Sequence, residues 1–149
     1  MTGLTVRAAE LADLEAMLAL YDHLHPPNPR PTNPEATWRA TLGHPGLTVF
    51  VGVVPSGGLA ASCTLVVIPH LMRSGVPYAL IEDVVTHSDH RQRGYGGVVL
   101  RTAIDAAWRA GCYKVMLMTG SKDPAIHRFY AGAGFQQNKT GYQIRRSLS

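Results

Sequence analysis

The stretch RQRGYGG, Arg91 to Gly97, constrains this chain more than any other. It follows the apolar run YALIEDVVT and precedes a segment in which Val99, Leu100, Ala103, Ile104, Ala107 and Trp108 fall on one side of a helix. The order is therefore inner strand, glycine loop, helix from about Gly96 to Ala110, with a stop at Gly111. At such a junction the first helical turn leaves backbone N–H groups without partners, and the helix dipole adds partial positive charge. Glycine at 94, 96 and 97 removes the Cβ atoms that would hold an anion away, while Arg91 and Arg93 supply charge from the rim. The loop reads as a phosphate cradle. The plainer alternative is a tight turn beside a solvated basic face. Neither a G-K-[ST] triphosphate loop nor a dinucleotide fingerprint is present.

Elsewhere the pattern alternates strands and helices. A short strand is expected around Leu4 to Arg7, then a helix from Leu11 to His23 with Leu11, Leu14, Leu18 and Tyr21 on its buried face. HPPNPRPTNP holds five prolines in ten residues and reads as a loop, or a lid. Asn33 with Pro34 caps a second helix to about Leu42. Leu47 to Val54 and Leu59 to Ile68 form a hairpin across PSGG. YKVMLM is expected as another buried strand. Asp123 and Pro124 open a short helix through Tyr130, and a last strand is expected from Gly141 to Arg146. The resulting class is α/β, a single mixed, mostly antiparallel sheet flanked by helices in the order β-α-α-β-β-β-α-β-α-β, with residues 1–149 as one domain.

Composition narrows the function. With 149 residues, 46% hydrophobic and 16% charged, the chain can bury a core and fold alone. A formal charge of +4 favours anionic partners, but the dense basic clusters of a nucleic-acid reader are missing. Cys63 and Cys112 sit among core-like residues without C-x-x-C spacing, and the seven histidines lack metal-ligand spacing, so no metal is expected. His23 and His25 border the proline-rich loop as substrate-site candidates, and His87 and His90 precede Arg91, where they either touch phosphate or are solvated loop residues. Glu10, Asp13 and Glu15 interrupt any signal peptide, and no window is long enough for a membrane span, so a cytoplasmic protein is expected.

The pattern R-x-x-G-x-G at Arg91 to Gly96, with LIEDVV before it and KDPAIHRFYAGAGF after it, resembles the GNAT superfamily of acyl-CoA-dependent N-acetyltransferases. IEDVV, GCYKVMLM and RFYAGAGF resemble its glucosamine-phosphate branch, and the likeness is closest from Tyr78 to Arg146. The resemblance implies acetyl-CoA as cosubstrate. Backbone groups of Val84, Val85 and Thr86 would pair with the pantetheine arm, and the N–H groups of Gln92, Arg93, Gly94, Tyr95, Gly96 and Gly97, with the Arg91 and Arg93 side chains, would hold the pyrophosphate. Tyr130 would protonate or stabilise the departing thiolate, the plainer alternative being a core aromatic beside Phe129 and Phe135.

Two carboxylates, Glu82 and Asp83, stand inside an otherwise apolar strand, which is unfavourable unless they are solvated, paired or used. Without a bulge only one can face a cleft. The resemblance implies Glu82 as general base, acting directly or through water, with Asp83 then anchoring a loop. The expected reaction is direct transfer to the primary amine of a small molecule, with neither cysteine as nucleophile. Homodimers are common in the superfamily and are expected here. Tyr142 is expected to pack on the sheet or line the acceptor pocket. Asp123 stands where many members have an asparagine, and Ile126 where the glucosamine-phosphate branch prefers one. A non-catalytic acyl-CoA sensor and a basic nucleic-acid-binding domain are the competing readings.

Overall fold

The hairpin signal around PSGG organises half of the sheet. Strand β2 (Leu47–Val53) turns back into β3 (Leu59–Ile68) through Gly57, whose φ of +97° suits glycine alone among common residues. Val54 donates to the carbonyl of Gly58 at 3.0 Å and Gly57 to that of Val54 at 2.8 Å. With β1 (Thr5–Ala8), β4 (Tyr78–Thr86) and β5 (Val115–Met116) they make one sheet in the order β1-β2-β3-β4-β5. The pairings are antiparallel except β4 with β5, which is parallel. This computed structural model describes residues 3–24 and 28–146. His25, Pro26 and Pro27 lie outside them, and with them the expectation for His25 and part of the proline-rich loop.

Helices cover both faces. A 3-10 turn at Leu11–Asp13 leads into α1 (Leu14–Tyr21), and α2 (Pro34–Gly43) starts where Asn33 accepts from the Ala36 N–H at 3.1 Å. Met17 and Leu20 of α1 and Trp38 of α2 bury themselves against Val49, Val51 and Val85 of the sheet. On the opposite face α3 (Tyr95–Arg109) lays Val99, Leu100, Ala103 and Ala107 over β2, β3 and β4. Its approach is close enough that a Cβ at Gly52 would come within 2.9 Å of the Val99 Cγ2 atom. Each fully buried aliphatic side chain such as Leu100 contributes about 1.5–3 kcal/mol, so this double layer holds β3 rigidly between two cores.

The chain divides into two compact units, Met1–Leu117 and Met118–Ser149. The second contains α4 (Pro124–Gly132), capped by Asp123, which accepts from the Ala125 N–H at 2.9 Å. Two expectations need correction. The strand in YKVMLM shrinks to Val115–Met116, and residues 141–146 form no strand at all. A strand needs a neighbour for its N–H and C=O groups. Tyr142 and Ile144 are instead 93% and 99% exposed.

Candidate active site

Strand β4 breaks register at its two carboxylates. Thr64 pairs with Glu82 and Ser62 with Val85, so Asp83 and Val84 stand against Cys63 alone. This is a β-bulge, with Asp83 in the left-handed region at φ +53°. The extra residue puts Glu82 and Val85 on the same face, the one covered by α1, because their partners Thr64 and Ser62 already share it. Both carboxylates thereby reach solvent from a strand that is otherwise largely buried. Partial burial of the Glu82 carboxyl, and then the charge of Asp83, hold it above the usual carboxylate range.

Asp83 shares a cleft of about 210 Å³ with Tyr21, Leu24 and Asn28. Tyr21 ends α1, and its ring packs against the Met17–Leu20–Trp38 cluster. The phenol is pushed up to about 12, first by burial and next by the Asp83 charge, against a hydrogen bond with the Thr64 side chain that lowers it. The end of α1 and the bulge thus meet around one cleft.

Past Leu80, just before the bulge, β4 loses its second neighbour. Among the described residues β5 pairs only with Ala79 and Leu80, so the stretch from Ile81 to Thr86 has a strand on its β3 side alone. The loop that follows turns through two left-handed residues, Gln92 at φ +63° and Gly94 at φ +80°. Such turns aim successive N–H groups at one point, an arrangement suited to anions. Helix α3 starts at once, with Gly94 at its N-cap and so no capping side chain, whereas α2 and α4 are capped by Asn33 and Asp123. Tyr95 is buried, which fixes the first turn to the core. The guanidinium of Arg101 lies beside that turn, its Nη1 atom 3.5 Å from where a Gly97 Cβ would stand.

Arg91 is held differently from Arg93. Its Nε donates to the Thr86 carbonyl at 3.3 Å and its Nη2 to that of His23 at 3.2 Å, tying the end of β4 to the end of α1. His23 and His87 reinforce the tie with ring centroids 4.0 Å apart, and the His23 Nδ1 accepts from the Ser88 N–H at 3.4 Å. In the second unit the Tyr130 ring lies edge-on to Phe129 and Phe135, with centroids 5.1 and 6.1 Å away. Both cysteines are buried, and burial pushes the Cys63 thiol up to about 12 and raises that of Cys112. Among the described residues no group of His, Cys, Asp and Glu is arranged to hold a metal, and no helix is long and apolar enough to cross a membrane.

Residues 14–135 match the model of the acetyltransferase (GNAT) family. The chain belongs to the GNAT family. A glucosamine 6-phosphate N-acetyltransferase of Oryza sativa subsp. japonica is 32% identical over 137 residues, 87% of this chain and 79% of that protein. One from Trypanosoma brucei brucei is 28% identical over 149 residues, covering 99% and 98%. Among solved structures, a protein of Agrobacterium tumefaciens str. C58 described as an acetyltransferase is 49% identical, with a TM-score of 0.91 over 95% of this chain and 99% of that one. The family supports N-acetyltransferase activity, and its enzymes use acetyl-CoA as cosubstrate.

Seen as a GNAT enzyme, the chain gathers Glu82, Val84, Val85, Thr86 and the loop from Arg91 to Gly97 along one strand end and one helix start. The bulge adds Asp83 to the cleft, a position that period-two alternation conceals. Tyr21 and Asn28 come from the first helix and the proline-rich segment, and no motif marks either of them. Arg101 had a local signal: it stands one helical turn after Gly97, where a helix brings side chains together.

Proposed function

We propose that this GNAT enzyme moves an acetyl group from acetyl-CoA directly to the primary amine of a small molecule, within a single domain formed by residues 1–149. The observation that carries the proposal is the uncapped start of α3 behind two left-handed residues, next to the stretch of β4 that has a strand on one side only. These features suit a phosphorylated carrier with an amide-bearing arm. The N–H groups from Gln92 to Gly97, with Arg93 and Arg101, would grip the pyrophosphate, and Val84, Val85 and Thr86 would pair with the arm. Arg91 keeps part of its donor set on the Thr86 and His23 carbonyls and closes the rim.

Acetyl-CoA supplies an activated thioester. Glu82 accepts the proton that the amine must lose as its nitrogen bonds to the acetyl carbon, and Tyr130 gives a proton to the sulfur as the C–S bond breaks. The inert, buried thiols of Cys63 and Cys112 support transfer without an acetylated enzyme. The cleft lined by Tyr21, Leu24, Asn28 and Asp83 is the acceptor's place, and glucosamine 6-phosphate, named for the rice and trypanosome relatives, is the first acceptor to try. The exposed pair Tyr142 and Ile144, two residues apart in an unpaired segment, supports a homodimer that covers them. We place the enzyme in the cytoplasm, which agrees with its two unbridged cysteines.

Isothermal calorimetry with acetyl-CoA, followed by a screen of amines for thiol release, tests the proposal. Saturable binding and turnover of at least one amine are expected. Absence of binding overturns it.

A further inference from the structure

Four aromatic rings run from just past α1 to the first residue of α3. Between centroids, His23 lies 4.0 Å from His87, His87 5.4 Å from His90, and His90 5.9 Å from Tyr95. The first two rings also accept hydrogen bonds from the backbone. The His23 Nδ1 takes the Ser88 N–H at 3.4 Å, and the His87 Nδ1 takes that of Asp89 at 3.1 Å, which caps the 3-10 turn Ser88–His90. An imidazole accepts through Nδ1 only while that nitrogen carries no proton. Both bonds therefore require neutral rings, and they fix the turn that delivers Arg91 and the cradle behind it. Arg91 completes the tie through the Thr86 and His23 carbonyls.

We propose that His23 and His87 are positioning residues that hold the carrier loop in its binding shape only while both rings accept at Nδ1, so that charging them frees the loop and weakens acetyl-CoA binding. The inference rests on the reading of that loop as the acetyl-CoA site. The surroundings give a charged ring little to replace the lost bonds. Arg91 already places a guanidinium on the His23 carbonyl, and a second charged imidazole would stand 4.0 Å from the first. The Asp89 carboxylate is 3.9 Å from the His87 Nδ1, too long for a hydrogen bond, and its side chain is 82% exposed. Asp22, beside His23 in the chain, is bound by Arg30 at 2.9 Å. His90 stands edge-on to His87, its Nδ1 atom buried and without a hydrogen-bond partner among the described residues, and Tyr95 lies beyond it.

The test is calorimetry of the full chain with CoA at about pH 8 and about pH 5.5, either side of the range in which imidazoles ordinarily charge. Asparagine offers an amide oxygen at the position of Nδ1 and cannot charge. Wild type should bind CoA about tenfold or more weaker in acid. The double variant His23→Asn/His87→Asn should match it at the higher pH and keep most of its affinity at the lower, any drop it retains belonging to the carrier's own phosphates. His23→Phe and His87→Phe keep a ring and lose the acceptor, so each should weaken CoA about fivefold at the higher pH, raising the KM for acetyl-CoA with little change in kcat. If a Phe variant does not fold, the pH comparison between wild type and the double variant decides alone. Tighter binding in acid would assign the imidazoles to direct contact with phosphate and overturn the inference, as would an equal acid loss in the double variant or full affinity in both Phe variants. Absence of CoA binding by the wild type at the higher pH would defeat the acetyl-CoA reading itself, and the inference with it.

Discussion

Thr64 and Glu82 face each other across the β3–β4 ladder, and the ladder slips by one residue immediately after them. The slip turns two adjacent carboxylates toward solvent on one strand, and the charge of Asp83 acts on Glu82 at short range. Raising the Glu82 carboxyl keeps a proton on it to higher pH than an ordinary glutamate would, which improves its match to a basic amine at the expense of its ionised fraction in acid.

The first prediction concerns that proton. Glu82→Gln should lower kcat by about a hundredfold or more, the usual worth of a general base, with acetyl-CoA affinity intact. In Asp83→Asn one of the two causes that raise Glu82 is gone, so the acid limb of the kcat profile should move to lower pH. An unmoved limb would remove Glu82 as the titrating base.

Tyr130 calls for a different readout. Tyr130→Phe keeps the edge-on contacts with Phe129 and Phe135 and removes only the hydroxyl. Single-turnover rates should fall by about tenfold to a hundredfold, while calorimetry with CoA shows no change. Unaltered rates would restrict Tyr130 to packing.

The glycine loop makes a stability prediction and a binding prediction together. Nothing lies within 4 Å of a Cβ built at Gly94, so alanine there meets no clash. Its φ of +80° nevertheless disfavours any side chain, at about 1–2 kcal/mol. Gly94→Ala should lower the melting temperature by a few degrees and weaken CoA binding in calorimetry, because relief of the strain reorients the N–H groups at the start of α3. Binding unchanged in the folded variant would move the carrier's phosphates elsewhere.

How much of this was readable beforehand follows from the range of the forces involved. The strand Tyr78–Thr86, the hairpin at PSGG and the caps at Asn33 and Asp123 are local: alternation, glycine and side-chain acceptors act within a few residues. The bulge at Asp83 is set by registration with Cys63 on another strand and leaves no period to detect. Tyr21 looked like a core residue because its ring is one. Strand formation at 141–146 failed for the complementary reason: Tyr142 and Ile144 have the right alternation, but alternation supplies no hydrogen-bonding neighbour.

Both thiols should be dispensable for chemistry. Cys63→Ala and Cys112→Ala, each assayed as folded protein, should keep kcat within about threefold, since burial holds both sulfurs protonated and away from substrate. Loss of turnover in either folded variant would mean that the acetyl group passes through sulfur.

The last prediction lies where β1 enters α1. The Arg7 guanidinium grips Asp13 with two bonds, 2.7 Å to Oδ2 and 3.0 Å to Oδ1, and the Glu10 N–H adds a third at 2.7 Å. The side chain of Asp13 is 12% exposed against 36% for Arg7, so the pair is partly screened. The contribution should be about 1 kcal/mol, above the lower range for exposed pairs because the contact is bidentate. The hydrogen bond from Arg7, foremost, pulls the Asp13 carboxyl below the usual range. In the window between the lowered and ordinary values the unfolded chain binds more protons, so stability falls as pH drops through it. Urea unfolding of the wild type and Asp13→Asn should therefore show a gap of about 1 kcal/mol at pH 7 that closes below about pH 4. A gap independent of pH would assign the loss to the local turn and not to the ion pair.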